Sequence, residues 1–288
     1  MQRIAFGSTM AASLVLAARF AAATTYLVPP GPGTPIQDAI DAAAPGDTIR
    51  LIAERYFEHI TISKPLKLRG AGSVSTQSDI TLLNGECATG PVITVAADDV
   101  QIRDLAIFGD IEGGIDVQGR ARVKLKRLFV ASNCNAVSVA AVNIVQSTHV
   151  LVDRVWAAGA TAYPITAAGI RVADTPQNGR IRVRGSIAGH YDVGIHLENN
   201  GILSAYVSSN DVNFNDRGIV VETTSRASVT RNRLVDNVTS GIEITALSSG
   251  NSIIANTISG STTDVSDAGA SNCWRNNTFT TGSVPTCP

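Results

Sequence analysis

The stretch "GHYDVGIHLENNG", residues 189–201, contains five side chains capable of acid–base chemistry within ten consecutive positions. They are two imidazoles, two carboxylates and a phenol: His190, Tyr191, Asp192, His196 and Glu198. Imidazole and carboxylate groups commonly transfer protons in general acid–base catalysis. The same residue types also form the solvated face of ordinary strands. The stretch therefore has both a catalytic and a purely structural interpretation.

The elements that would position these side chains are the strands of an internal repeat. A motif of glycine, isoleucine, any residue and an apolar residue recurs with a period of about two dozen residues, beginning at Gly114, Gly169, Gly194, Gly218 and Gly241. A second motif with the same period places an asparagine between two apolar residues, at Asn210, Asn232, Asn256 and Asn277. Two interleaved motifs with one period indicate a single repeating structural unit.

A unit of this length, built from short alternating strands without helical periodicity, predicts one turn of a right-handed parallel β-helix. Successive turns would stack at the inter-strand spacing of roughly 4.8 Å. The repeated asparagines are then expected to form a ladder whose amides bond up and down the stack. We predict an all-β, single-domain parallel β-helix of about eight coils.

The two ends of the chain carry distinct signals. Residues 1–23 have a short positive start, an apolar run and small residues before a cleavage point, which predicts a secretory signal peptide and a secreted or periplasmic protein. The β-helix domain then spans 24–288. Residues 34–45 predict a short N-terminal capping helix, with Thr34 as N-cap, Pro35 in first position and Gln37 completing a capping box.

The four cysteines predict disulfides in an exported chain. Cys87 and Cys134 are about two turns apart, and we expect them to staple neighbouring coils. Cys273 and Cys287 would close a loop in a C-terminal cap over residues 271–288, although other pairings stay open. No Cys-x-x-Cys pair is present, so zinc is not expected.

The composition limits the partners. The chain is 44% hydrophobic and 16% charged with a net charge of −1, which gives no electrostatic reason to expect nucleic acid or an anionic membrane. No segment after the signal peptide is long and apolar enough to span a bilayer. We expect a monomer.

The segment "IQDAIDAAAPGDTIRLIAERYFEHITISKPLKLRGAG", residues 36–72, resembles the entry segment of right-handed parallel β-helix proteins of the pectate-lyase-like superfamily. The later "IIANTISG" and "RGIVVETTSRASVTRNRLVDN" resemble the asparagine-bearing coils of that superfamily. The resemblance covers essentially the whole mature chain. It implies the fold strongly and the activity weakly, because many activities share this repeat.

In each glycine–isoleucine strand the isoleucine points inward, so the residue after it and the residue after the motif point outward. Two outer rows follow. The first row contains Asp116, Ser138, Arg171, His196, Val220 and Glu243. The second contains Gln118, Ala140, Ala173, Glu198, Glu222 and Thr245. The superfamily resemblance implies that such rows line a polysaccharide groove.

The candidate catalytic residues are Arg171, His196, Glu198 and Glu222, which these rows place on neighbouring coils. Glu198 and Glu222 would act as acid and nucleophile in a glycoside hydrolase, since retaining enzymes hold their carboxyl groups roughly 5 Å apart. In a lyase, Arg171 or His196 would remove the proton beside a uronate carboxyl. The Glu198–Glu222 pair also suits Ca²⁺, which prefers several oxygen ligands. Ca²⁺ is therefore a possible cofactor, but no residue is assigned as a metal ligand.

The candidate substrate-binding residues lie at the turns and edge of the same groove: His190, Tyr191, Asp192, Arg217 and Glu243. Complete signatures of polygalacturonases and mannuronan epimerases are absent, as is the aspartate-rich calcium cluster of well-known pectate lyases. Three functions therefore stay open. They are a polysaccharide lyase, hydrolase or epimerase; a non-catalytic exported β-helix that binds glycan or has a structural role; and a helper in periplasmic metal or polymer handling.

Overall fold

The structure is a computed structural model that describes residues 22–73, 79–109, 112–132, 134, 139–159, 167–177, 179–201 and 204–287. All but the last two residues of the predicted signal peptide lie outside these ranges, so the signal peptide stays a prediction. No helix within them is long and apolar enough to cross a membrane.

The chain winds as a right-handed parallel β-helix of about nine turns, close to the eight predicted. The described strand pairs are parallel and join each turn to the next. Two sheets run along the helix, which we call the short sheet, with ten strands, and the long sheet, with seventeen.

The strands of the short sheet are Ile60–Ile62, Ile93–Val95, Ile115–Gln118, Ala140–Val145, Ala168–Ala173, Val193–Glu198, Arg217–Glu222, Ser240–Ile244, Thr263–Asp267 and Gly282–Ser283. Those of the long sheet are Thr25–Val28, Thr48–Leu51, Arg55–Phe57, Lys67–Arg69, Leu82–Asn84, Gln101–Phe108, Lys124–Ser132, Val150–Gly159, Arg180–Arg184, Ile187–Gly189, Ser204–Ser208, Asp211–Asn213, Ser228–Thr230, Arg233–Val235, Ser252–Ile254, Thr257–Ser259 and Cys273–Arg275.

The core is a column of aliphatic side chains between the sheets. Ile170, Ile195, Ile219 and Ile242 are lateral neighbours on successive turns and are fully buried. Burial of each such side chain is worth about 1.5–3 kcal/mol, so the stack is held in this register. The glycine of the repeat is explained by close packing at the corner, because a Cβ at Gly194 would overlap Val212 and Asn215.

The predicted asparagine ladder is confirmed. Oδ1 of Asn232 accepts hydrogen bonds from the backbone and side-chain amides of Asn210, at 3.0 and 2.9 Å, and Oδ1 of Asn256 does the same for Asn232. The residue before each ladder asparagine has a positive φ, which turns the chain between two strands. Asn215 and Asn237 form a second, unpredicted ladder at the next corner.

The N-terminal helix is confirmed at Pro35–Ala42, but the predicted capping box is wrong. Neither Thr34 nor Gln37 caps it; the Glu58 carboxylate instead accepts the N–H groups of Ile36 and Gln37, at 2.9 and 3.0 Å. Gln37 uses both ends of its amide on the backbone of Thr61, at 2.7 and 3.3 Å. Residues of the first coil therefore bind the helix over the open end.

Both expected disulfides are present. Cys87 and Cys134 are joined across coils, and Cys273 is joined to Cys287 beside the last turn. Each bond closes a loop and so restricts the unfolded chain, which stabilises the folded β-helix.

The last turn is fastened by a buried carboxylate. Oδ2 of Asp264 accepts hydrogen bonds from the backbone N–H and hydroxyl of Thr280, both at 2.7 Å, and from the N–H of Thr281 at 3.1 Å. Burial by itself raises the pKa of Asp264, but these hydrogen bonds and one from Ser261 outweigh it and hold that pKa below its usual range.

We expect Asp264→Asn to lower the free energy of unfolding by about 1–3 kcal/mol at neutral pH. Both oxygens of Asp264 accept hydrogen bonds, and asparagine replaces one of them with an NH₂ group, which would face N–H or O–H donors and could not accept from them. A lowered folded-state pKa stabilises the protein above the unfolded value of 3.8, and this stability is lost as the pH falls through the folded value. Denaturant unfolding across this range should show the difference from wild type shrinking in acid. Asp236→Asn, at an exposed carboxylate on the preceding coil, is the control; equal losses in both variants would contradict the assignment.

Candidate functional site

The outer face of the short sheet brings the predicted catalytic residues together. Arg171 is the lateral neighbour of His196, and Glu198 is the lateral neighbour of Glu222. The strands Ala168–Ala173, Val193–Glu198 and Arg217–Glu222 hold them because their alternating isoleucine, valine and leucine side chains are buried in the core. The four groups therefore occupy three successive turns of one sheet.

Two positions of the predicted rows are wrong. Asn143, and not Ser138, stands between Asp116 and Arg171, and Val145 stands where Ala140 was expected. Ser138 itself lies outside the described residues. The prediction of Ser138 took Ala136-Val137 as a degraded copy of the glycine–isoleucine motif, whereas the strand of this turn is Ala140–Val145. The alternation in "AVNI", residues 141–144, is the signal that locates the correct one.

These residues form a polar network of two adjacent hydrogen-bonded groups, which we define as Asp116, Asn143, Arg171 and Glu198 in the first and His196 and Glu222 in the second. The Asn143 amide donates to Asp116 at 2.7 Å, and Arg171 Nη1 donates to Asn143 Oδ1 at 3.1 Å. Arg171 Nε donates to Glu198 at 2.7 Å. The Arg171 and Glu198 side chains are only 21% and 24% exposed, so this ion pair is partly shielded from water.

His196 has a fixed orientation in this network. Its Nε2 lies 2.9 Å from Oε2 of Glu222, and its side chain is 15% exposed. An ionised carboxylate only accepts hydrogen bonds, so in the neutral tautomer that donates to Glu222, Nε2 carries the proton and Nδ1 carries the lone pair. Nδ1 is 3.9 Å from Glu198, too far for a hydrogen bond. This geometry leaves Nδ1 as a proton acceptor.

A pocket of about 460 Å³ opens beside the network, which we call the groove pocket. Its lining combines the apolar side chains of Val139, Ala167, Ala168 and Val193 with the polar and charged side chains of Arg171, His196, Asp192 and Arg217. Arg217 Nη2 donates to Asp192 at 3.0 Å across neighbouring coils. An apolar surface with a few convergent charges is typical of a small-ligand site.

The other predicted binding residues are placed differently. His190 is exposed at the preceding corner, where its ring stacks on Phe214 with centroids 5.7 Å apart. Tyr191 is 3% exposed and packs in the core, so its ring faces away from the groove. Glu243 lies on the same row as His196, beyond Val220, where Ser240 donates to it at 3.2 Å.

The carboxylates of Glu198 and Glu222 are each hydrogen-bonded to a different side chain. Arg171 engages Glu198, and His196 engages Glu222. A retaining-hydrolase pair or a Ca²⁺ ion would require these partners to move away. Both ideas stay predictions.

The fold is the right-handed parallel β-helix of the pectate-lyase-like type. The pectate lyase Pel9A is similar to this chain with a TM-score of 0.67 at 12% identity, over 91% of this chain and 78% of that one. The family PL6 alginate lyase AlyGC is similar with a TM-score of 0.58 at 15% identity, over 88% of this chain and 38% of that one. The periplasmic alginate epimerase AlgG is similar with a TM-score of 0.50 at 12% identity, over 81% and 73%. At these identities the likeness concerns the fold alone.

The chain belongs to the family described as periplasmic copper-binding protein (NosD), whose model matches residues 73–284. No curated protein sequence matches the chain. The family description and the two disulfides are consistent with an extracellular or periplasmic protein.

The described side chains do not fit a copper site. Copper is held by thiolate, thioether and imidazole groups. All four cysteines are in disulfides, and both methionines, Met1 and Met10, lie outside the described ranges. Among the residues with described positions, no group of three or more His, Cys, Asp or Glu side chains could hold a metal ion. We therefore derive no step through copper.

Proposed function

We propose that this protein binds an acidic polysaccharide along the outer face of the short sheet, with Arg171 and Arg217 holding a sugar carboxylate at the groove pocket. One observation carries the proposal. Both arginines line the same pocket, and in the described part of the chain each keeps a terminal nitrogen, Nη2 of Arg171 and Nη1 of Arg217, without an acceptor. These donors are available to a ligand.

The surroundings of the two arginines suit a sugar carboxylate. Glu198 and Asn143 fix Arg171, while Asp192 fixes Arg217, so both guanidinium groups are oriented before a ligand arrives. The apolar side chains of the pocket would contact the carbon face of a sugar ring. Similarity in fold to proteins named pectate lyase, alginate lyase and alginate epimerase supports this class of ligand.

Arg171→Gln and Arg217→Gln should each weaken binding of an oligouronate about 10–100-fold, because a hydrogen bond to a charged group contributes about 1.5–3 kcal/mol. Calorimetric titration with oligogalacturonate and oligomannuronate measures this change. Arg233→Gln is the matched control, since Arg233 also pairs with an aspartate, Asp211, at 2.9 Å but lies on the long sheet. Unchanged affinity in both groove variants, with the fold intact, would reject the site.

A second candidate function is β-elimination of a uronate, which the His196–Glu222 contact favours. Arg171 would neutralise the carboxyl and so acidify the neighbouring C5 proton. Nδ1 of His196 would take that proton, the C4–O bond would break, and a C4=C5 double bond would form while the leaving oxygen is protonated from water. The binding proposal stands without this step. A non-catalytic protein would retain the glycan and release no unsaturated product.

A further inference from the structure

Cations are concentrated on the outer face of the long sheet, away from the groove. Two rows run across the strands from Thr48–Leu51 to Arg180–Arg184. One row contains Lys67, Lys124 and Arg182, and the other contains Arg50, Arg69, Arg103, Lys126 and Arg184. Arg127 and Arg154 stand at the adjoining corner. We call these ten side chains the basic face.

Within the second row, four cations follow one another without interruption. Arg50, Arg69, Arg103 and Lys126 are lateral neighbours on four successive turns. Like charges directly opposite each other on paired strands destabilise a sheet. Binding an external anion would reduce this repulsion.

The carboxylates within the face are too few to neutralise it. Asp104 contacts three arginines, with Arg127 as its shortest partner, and Asp153 contacts Arg154 and Arg184. These two acids serve five cations. Among the described residues no ion pair reaches Arg50, Lys67, Lys124 or Lys126. A strongly positive band therefore exists on a chain whose net charge is −1.

The same strands carry an aromatic cluster directly beyond the basic face. Phe108 and Phe129 have ring centroids 5.3 Å apart, and Phe129 and Trp156 5.0 Å apart. All three line a pocket of about 440 Å³, and Trp156 is 39% exposed. Aromatic rings beside cations offer stacking surfaces to a flat-faced polymer unit that also carries negative charge.

We propose that the basic face is a second binding surface, for an extended acidic polysaccharide chain, with sugar rings reaching the aromatic cluster. Neighbouring cations of the second row stand one coil rise, roughly 4.8 Å, apart, and such a regular row suits a polymer that carries one negative charge on each unit. A bilayer fits less well, because Leu151 is the one apolar residue between the cations of these rows. Membership of a family described as periplasmic argues against nucleic acid. The proposal is independent of the function proposed for the short sheet.

The test neutralises three cations that have no ion pair, in the variant Arg50→Gln/Lys67→Gln/Lys126→Gln. We expect its affinity for immobilised polygalacturonate at low salt to fall about tenfold or more, with a shallower dependence of affinity on salt than in wild type. The matched control Arg226→Gln/Arg231→Gln/Arg275→Gln removes the same charge from exposed positions on later coils and should bind like wild type. The comparison is repeated in an Arg171→Gln/Arg217→Gln background, in which the proposed groove site is disabled, and the same loss there assigns the binding to the basic face.

Three results would overturn the proposal: unchanged affinity of the basic-face variant in the background that lacks the groove arginines, an equal loss in the control variant, or retention on neutral dextran. Phosphatidylglycerol vesicles and single-stranded oligonucleotide serve as competing probes at equal charge concentration. If either binds more tightly than polygalacturonate, the assignment to an acidic polysaccharide fails.

Discussion

Asn232→Ala is expected to lower the free energy of unfolding by about 3–5 kcal/mol. The Asn232 side chain is 2% exposed and makes four hydrogen bonds. Alanine leaves the N–H of Asn210 and the carbonyl of Val207 without partners in a buried corner. Each unsatisfied buried group costs about 1–3 kcal/mol, and the vacated volume adds to this.

Denaturant unfolding, followed by circular dichroism, measures the loss. Asn277→Ala is the matched control, since Asn277 makes equivalent bonds to Asn256 and Ile253 but stands at the end of the ladder and is only partly buried. Water can replace its bonds, so we expect about 1 kcal/mol there. Equal losses in the free energy of unfolding at Asn232 and Asn277 would show that burial does not determine how much each ladder asparagine stabilises the protein.

His196→Gln is expected to lower the rate of uronate elimination by about 10²–10⁴-fold, the usual contribution of a positioned general base. Glutamine keeps a polar group near Glu222 and comparable bulk, so the fold and the groove pocket should persist. It offers no basic nitrogen at the position of Nδ1. The assay follows the ultraviolet absorbance of the new double bond on a panel of polyuronates, with binding measured in parallel.

Glu243→Gln provides the control for this experiment, because Glu243 lies on the same row beyond Val220 and makes no contact with His196 in the described structure. Its rate should stay within a few-fold of wild type. A wild-type protein that binds polyuronate and yields no unsaturated product would refute the catalytic role of His196 while leaving the binding proposal intact. A full rate in His196→Gln would assign the proton transfer elsewhere.

Local packing explains which predictions were right. The positions of Asn210, Asn232, Asn256 and Asn277 between apolar residues predicted a buried ladder, because a buried amide needs partners that only the next coil supplies. The pairing of Arg171 with His196 followed from the period of the glycine–isoleucine motif. Where the motif is degraded, as in Ala136-Val137, it no longer gives the register, and the prediction of Ser138 was wrong.

The N-terminal helix shows another limit. Thr34, Pro35 and Gln37 have the spacing of a capping box, and the helix does begin there. The sequence contains no local sign that Glu58, on the following coil, would supply the capping carboxylate in place of Gln37. Long-range hydrogen bonds of this kind depend on how the coils are placed, not on neighbours in the chain.

The sequence by itself determined the coil, because a two-dozen-residue alternation of apolar and polar positions has one compact solution in which like residues stack on like. Only the tertiary structure decided which charges meet. It linked Asp116 to Glu198 through Asn143 and Arg171, it paired His196 with Glu222, and it gathered ten cations of a nearly neutral chain on one face of the long sheet. The physical reason is that composition sums charge over the whole chain, whereas binding depends on its local density, which the lateral register of the coils sets.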